Sequence, residues 1–145
     1  MIGLAALMAA ATGAPPPLPV GQNHYSQSCG GCHGLRGVSA RPDIPVLRDR
    51  VGLFLCSREG REYVVRLPNV AFAAMDDATL AAALNFMMFA LGGRSVPGGI
   101  EARAFSTAEV RTLRARPLKA GNLVALRDEA LAHGDPACLA RFSKD

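Results

Sequence analysis

Five consecutive residues, Cys29-Gly30-Gly31-Cys32-His33, constrain this chain more than any other feature of its sequence. On a helical turn, residues three and four apart share a face, so both thiols and the imidazole can converge on one side of the backbone. That arrangement suits a flat macrocycle held edge-on. Two thiols can form thioethers with porphyrin vinyl groups while an imidazole nitrogen binds the iron, so Cys29, Cys32 and His33 are the expected attachment points of one covalent haem c. Two other chemistries use Cys-x-x-Cys. A thioredoxin-like pair follows a buried strand, which this sequence lacks. A zinc site needs more Cys or His at ligand spacing, whereas Cys56, Cys138, His24 and His133 are scattered.

The compartment follows from the chain's start and its cysteines. Residues 1–14 are uncharged and apolar, too short to span a bilayer, and a proline run follows them at 15–19. They read as the core of an export signal ending at 14 or as late as 19, although no positive charge precedes the apolar stretch. The competing reading is a buried N-terminal helix. An exported chain meets oxidising conditions, and two of its four cysteines remain outside the motif. Cys56 and Cys138 then either close a loop of roughly eighty residues as a disulfide, worth about 4 kcal/mol, or lie apart as buried thiols. A periplasmic location is expected.

With 145 residues in all, the chain has room for one well-cored domain. Its patterning is helical almost throughout. A short helix over 21–33, with Asn23 as a candidate cap, runs into the motif. Apolar spacing predicts another over 46–55, and Ser57-Arg58-Glu59-Gly60 reads as a turn. Tyr63, Val64 and Val65 favour an extended segment over 62–67, ended by Pro68. Asp76 or Asp77 caps the strongest helix, 78–91, which stops at Gly92-Gly93. Ser106-Thr107-Ala108-Glu109 is a capping box that opens a basic helix to about Arg116. Asn122 can cap one more helix, and Asp135-Pro136 a last turn. The expected fold class is therefore all-α, with a signal over 1–14, a core over 20–92 and extra C-terminal helices over 93–145.

On the motif, on Pro45-Val46-Leu47 twelve to fourteen residues after His33, and on the segment from Asp76 through Leu84-Asn85-Phe86, residues 21–91 resemble the small monohaem class I c-type cytochromes. The resemblance implies a cytochrome c-like helical domain around the haem, in which a capped helix bearing Phe86 crosses the N-terminal helix. It implies that the Pro45 carbonyl accepts a hydrogen bond from His33, fixing the ring, and that Leu47 packs on the haem. It also implies a methionine on the far face of the iron. Met75 is the best-placed loop methionine, Met87 and Met88 are alternatives on a helix stripe, and His133, an outside ligand or an open site are the remaining choices. Tyr63, Arg61 and Arg66 are candidate donors to the haem propionates, against a plainer reading as solvated charges beside a strand. His24 reads as a surface or packing residue.

The function expected is electron transfer rather than enzymatic catalysis: single electrons taken from a periplasmic dehydrogenase and passed to a terminal oxidase or another cytochrome. An enzyme or sensor with an open distal site, and a cytochrome subunit of a larger oxidoreductase, are the alternatives. No nucleophile–base pair and no phosphate-binding glycine loop is present. The formal charge of +4 lacks the Lys/Arg blocks interleaved with aromatics that nucleic-acid binding needs. No integral membrane span is expected. The arginines at 36–66 and 103–119 can steer an acidic partner or simply face solvent.

Overall fold

A computed structural model describes residues 19–98 and 102–140, and the export segment proposed over 1–14 lies outside them. The described residues are all-helical, with no β-strand. None of their helices is long and apolar enough to cross a membrane.

Helix α1 (Val20–Ser28) and the single turn α2 (Gly30–His33) are separated by a break at Cys29. The cap of α1 is Pro19, whose carbonyl accepts from the Asn23 amide at 3.0 Å, so Asn23 lies within the helix rather than at its start. Residues 46–55 do not form one helix. Asp49 adopts a left-handed backbone, φ 56°, and only Val51–Cys56 winds, as a 3₁₀ helix. Asp and Asn tolerate that region better than other side chains, which is why the break falls there.

The extended segment expected over 62–67 is instead the end of helix α3 (Arg58–Arg66). Ser57 caps it, accepting from the Gly60 amide at 2.9 Å, so the expected turn at 57–60 is its first turn. Arg61, Val64 and Val65 share the buried face at helical spacing. Their burial outweighs the β preference of Tyr63, Val64 and Val65, since propensity yields to tertiary packing.

After the turn α4 (Pro68–Ala71) comes α5 (Asp77–Asn85), capped by Asp76 accepting from the Thr79 amide at 2.7 Å. It continues without interruption as a π-helical segment, Phe86–Leu91. Helix α1 packs across α5 at Gly21, where a Cβ would run into the Ala82 carbonyl. Beside this crossing Tyr25, fully buried, meets Phe86 with ring centroids 5.4 Å apart.

Beyond residue 98, α6 (Thr107–Arg114), α7 (Leu123–Ala132) and α8 (Pro136–Leu139) cover α3, α5 and the 3₁₀ helix. Ser106 caps α6 through the Glu109 amide, but the Glu109 carboxylate does not return to complete the box, because Arg61 and Arg103 take it. Cys56 and Cys138 form a disulfide, which ties α8 to the end of the 3₁₀ helix. Nearby, the Asp135 amide donates to the Cys56 carbonyl at 3.2 Å.

Candidate functional site

The motif sits where α1 ends, and the chain beyond it folds back to meet it. Gly34 takes φ 74°, and a Cβ there would strike the Val38 carbonyl, so only glycine makes this turn. The Tyr25 hydroxyl donates to the Gly34 carbonyl at 2.8 Å, fixing the turn to α1. Burial, with the neighbouring Cys29 adding and Arg48 opposing, pushes that hydroxyl up to about 12, so it stays a protonated donor. The Gly37 carbonyl then accepts from the amides of Leu47 and Arg48 at 2.8 and 3.0 Å, closing the loop.

This closure brings Pro45 to the histidine. His33 Nδ1 lies 3.0 Å from the Pro45 carbonyl oxygen, which can only accept, so the ring proton belongs on Nδ1 and the Nε2 lone pair is free to bind a metal. A carbonyl behind a ligand histidine both orients the ring and raises its basicity. Leu47, two residues on, is buried in the core.

Cys29 and Cys32 are both free, the first half-buried and the second exposed. Burial, with the nearby Cys32 adding, pushes the Cys29 thiol up. A dithiol exchanger depends on a thiol held low, the opposite of what burial does to Cys29. Among the described residues no three His, Cys, Asp or Glu side chains converge as an ion-binding cluster, so the closed ligand set of a structural zinc is not assembled.

Cys29 also lines a narrow apolar cleft whose other walls include Val70, Met75, Leu80, Leu84 and Met87. Two of the three expected methionines thus face the same space as the first motif cysteine. Met88 does not: its side chain is 0% exposed within the core. His133 lines a separate cleft between α3 and α7, beside Glu59, Glu62 and Tyr63. The Cys29 cleft encloses about 60 Å³, small beside the ~300–1,000 Å³ of ordinary ligand pockets. By itself it is too small to hold a macrocycle. Leu35, Val38, Val46 and Phe72 are four of the six large apolar side chains left exposed among the described residues. They lie on the loop after the motif and the loop before Met75, and Leu35 and Val38 wall a second, open cleft with Arg36 and Arg48. Two free thiols and an imidazole with Nε2 unengaged are a donor set that fits a haem.

The three candidate propionate donors are engaged elsewhere. Arg61 grips Glu109 through Nε and Nη2 at 2.6 and 2.9 Å and stacks over Phe105, 3.7 Å from the ring centroid. Tyr63 donates to the Leu123 carbonyl at 3.1 Å, and Arg66 to the Arg116 carbonyl at 2.7 Å. All three hold the C-terminal helices. A residue that the sequence reading passed over, Arg114 of α6, reaches the Met75 loop instead. No family model matches this chain, and neither does any curated protein or solved structure compared with it.

Proposed function

We propose that this chain is a monohaem c-type cytochrome resembling class I, exported to the periplasm, that carries single electrons between a dehydrogenase and an oxidase or another cytochrome. The observation that carries the reading is the 3.0 Å contact from His33 Nδ1 to the Pro45 carbonyl. It leaves Nε2 free on the turn that also presents two unbridged thiols.

A haem bound there supplies reversible one-electron exchange between ferrous and ferric iron. Cys29 and Cys32 would hold it covalently, so that it is not lost. His33 would hold the iron through Nε2, kept in one tautomer and orientation by Pro45. Met75 would supply a second, thioether ligand, which would favour the reduced state and compete with oxygen or peroxide. Met75 is preferred to Met87 because it sits on a loop, between α4 and α5, whose backbone is held in place. Apolar side chains from α5 and the loop before it keep water from the Cys29 cleft.

The test is expression in a host competent for cytochrome c maturation, followed by mass spectrometry of the denatured protein. One haem should remain attached, and Cys29→Ala together with Cys32→Ala should abolish attachment. A protein that keeps no haem after denaturation overturns the reading. The oxidised spectrum should show a methionine-to-iron charge-transfer band that Met75→Ala removes and Met87→Leu preserves. A high-spin spectrum that responds to cyanide or carbon monoxide would make the distal site open and the carrier role wrong.

A further inference from the structure

The segment from Ala71 to Asp77 carries Met75. The amides of Ala71, Phe72 and Ala73 still donate back to Leu67, Pro68 and Val70, at 2.7, 3.0 and 3.1 Å, whereas past Ala73 the chain leaves the helical turn and the Met75 amide donates only to the Ala73 carbonyl, at 2.8 Å. Phe72 within it is 73% exposed, while Ala73 and Met75 turn toward the core. Its carbonyls are gathered by one side chain from another part of the chain. Arg114 Nε donates to the Ala71 carbonyl at 2.9 Å, Nη2 to the Ala73 carbonyl at 2.7 Å, and Nη1 to the Met75 carbonyl at 2.8 Å. Nη1 also meets the Asp77 carboxylate at 3.2 Å.

We infer that Arg114 is a positioning residue for Met75: the C-terminal extension reaches back to fix the loop that would present this thioether to the iron. This rests on the proposed haem reading. The guanidinium is suited to the task because its fork of donors is planar and rigid, and three carbonyls at alternate positions of one loop converge on it. A lysine offers a single ammonium on a flexible stem and cannot span them. Only 17% of the Arg114 side chain is exposed, so the bonds are largely shielded from competing water. The guanidinium is itself anchored, because α6 is fixed by the paired Asn85–Phe105 bonds at 3.0 and 2.7 Å and by Arg61 on Glu109.

Methionine ligation opposes any outside ligand, so loosening the loop should raise the affinity for imidazole in the oxidised protein. Hydrogen bonds from a charged donor are worth about 1.5–3 kcal/mol each, and loss of even one or two in effect predicts a gain in imidazole affinity of about 10- to 100-fold in Arg114→Met. The methionine-to-iron band should weaken, and amides 72–76 should exchange hydrogen faster. Arg114→Lys, which keeps the charge and most of the stem, should show the same changes to a lesser degree and guards against simple misfolding of the first variant. Arg111→Gln, which removes an exposed partner of Asp77 but none of the carbonyl bonds, should leave the band and imidazole affinity as they are. If both Arg114 variants fold, keep haem and match the parent in band and imidazole affinity, the inference fails while the cytochrome reading stands. A parent protein with attached haem but no methionine band overturns the inference and the Met75 assignment, though not the attachment. A parent that holds no haem overturns both.

Discussion

Arg61 is 1% exposed, an unusual place for a guanidinium, and its surroundings show why the cost of burial is met. It donates twice to Glu109 and once to the Arg103 carbonyl at 2.7 Å, and its flat face lies on Phe105. Burial pushes the Glu109 carboxyl up, but the hydrogen bonds and charges of Arg61 and Arg103 outweigh it and hold the group down at about 2. A carboxyl lowered from 4.5 in this way stabilises the fold fully above that value and loses its contribution as pH falls through about 2. Glu109→Gln should therefore destabilise the protein by ~3 kcal/mol at neutral pH, since it leaves a buried cation without its counter-charge. In urea titrations at stepped pH, the gap between parent and variant should close between about 4.5 and about 2. A gap that stays constant over that window would mean that packing, not the ion pair, sets the loss. The same residue shows a limit of sequence reading. Arg61 stood out as a candidate propionate donor, yet nothing in the local sequence links it to Glu109, forty-eight positions away.

At the scale of elements, what could be read was what is encoded locally. The helix beginning after Asp76, the Ser106 cap and the Asp135-Pro136 turn each depend on a side chain bonding to an amide two or three residues on, and each stands where the sequence puts it. Helix α3 was hidden because Tyr63, Val64 and Val65 at its end favour strands in isolation, and their helical form goes with a buried face that α6 and α7 help to complete. The break at Asp49 was likewise invisible, being stabilised from afar: its carboxylate accepts from the Arg94 amide at 3.1 Å. The α1–α5 crossing is the most exposed to test. Gly21 faces Ala82 and Phe86 so closely that no Cβ fits without moving a helix. Gly21→Ala should lower stability by about 1–3 kcal/mol despite alanine's better helix propensity, which by itself would favour the variant by about 1 kcal/mol. Denaturant midpoints measure this directly. A variant as stable as the parent would show that the two helices can separate at no cost.

Taken whole, the described residues form a helical core with the motif at its edge and the C-terminal third fastened over α3 and α5, and the fastenings draw on a bias in composition. Fourteen arginines stand against two lysines. Arg48, Arg61, Arg66 and Arg114 each donate to backbone carbonyls of a distant segment, a task that a rigid fork of donors does better than an ammonium. Part of each basic stretch thus serves as an internal staple. The disulfide is the covalent counterpart of these bonds. It joins residues 82 apart and so removes much of the freedom of the unfolded chain, an effect of about 4 kcal/mol in the chain-entropy model. Replacing both cysteines, Cys56→Ser with Cys138→Ser, should cost about that much, and because the effect lies in the unfolded state the urea m-value should rise as the released chain expands. The motif loop should be untouched, since the bonds that close it over 25–48 run among Tyr25, His33, Gly34, Gly37, Pro45, Leu47 and Arg48, and the nearest tie to the extension, the Arg94 amide donating to the Asp49 carboxylate, does not run through the disulfide. On the proposed haem reading, attachment in the double variant should accordingly match the parent at temperatures where both are folded. If stability falls by less than about 1 kcal/mol, the hydrogen bonds of the extension already confine the chain and the disulfide adds little. If attachment fails while the fold persists, the motif depends on the extension in a way that these contacts do not contain.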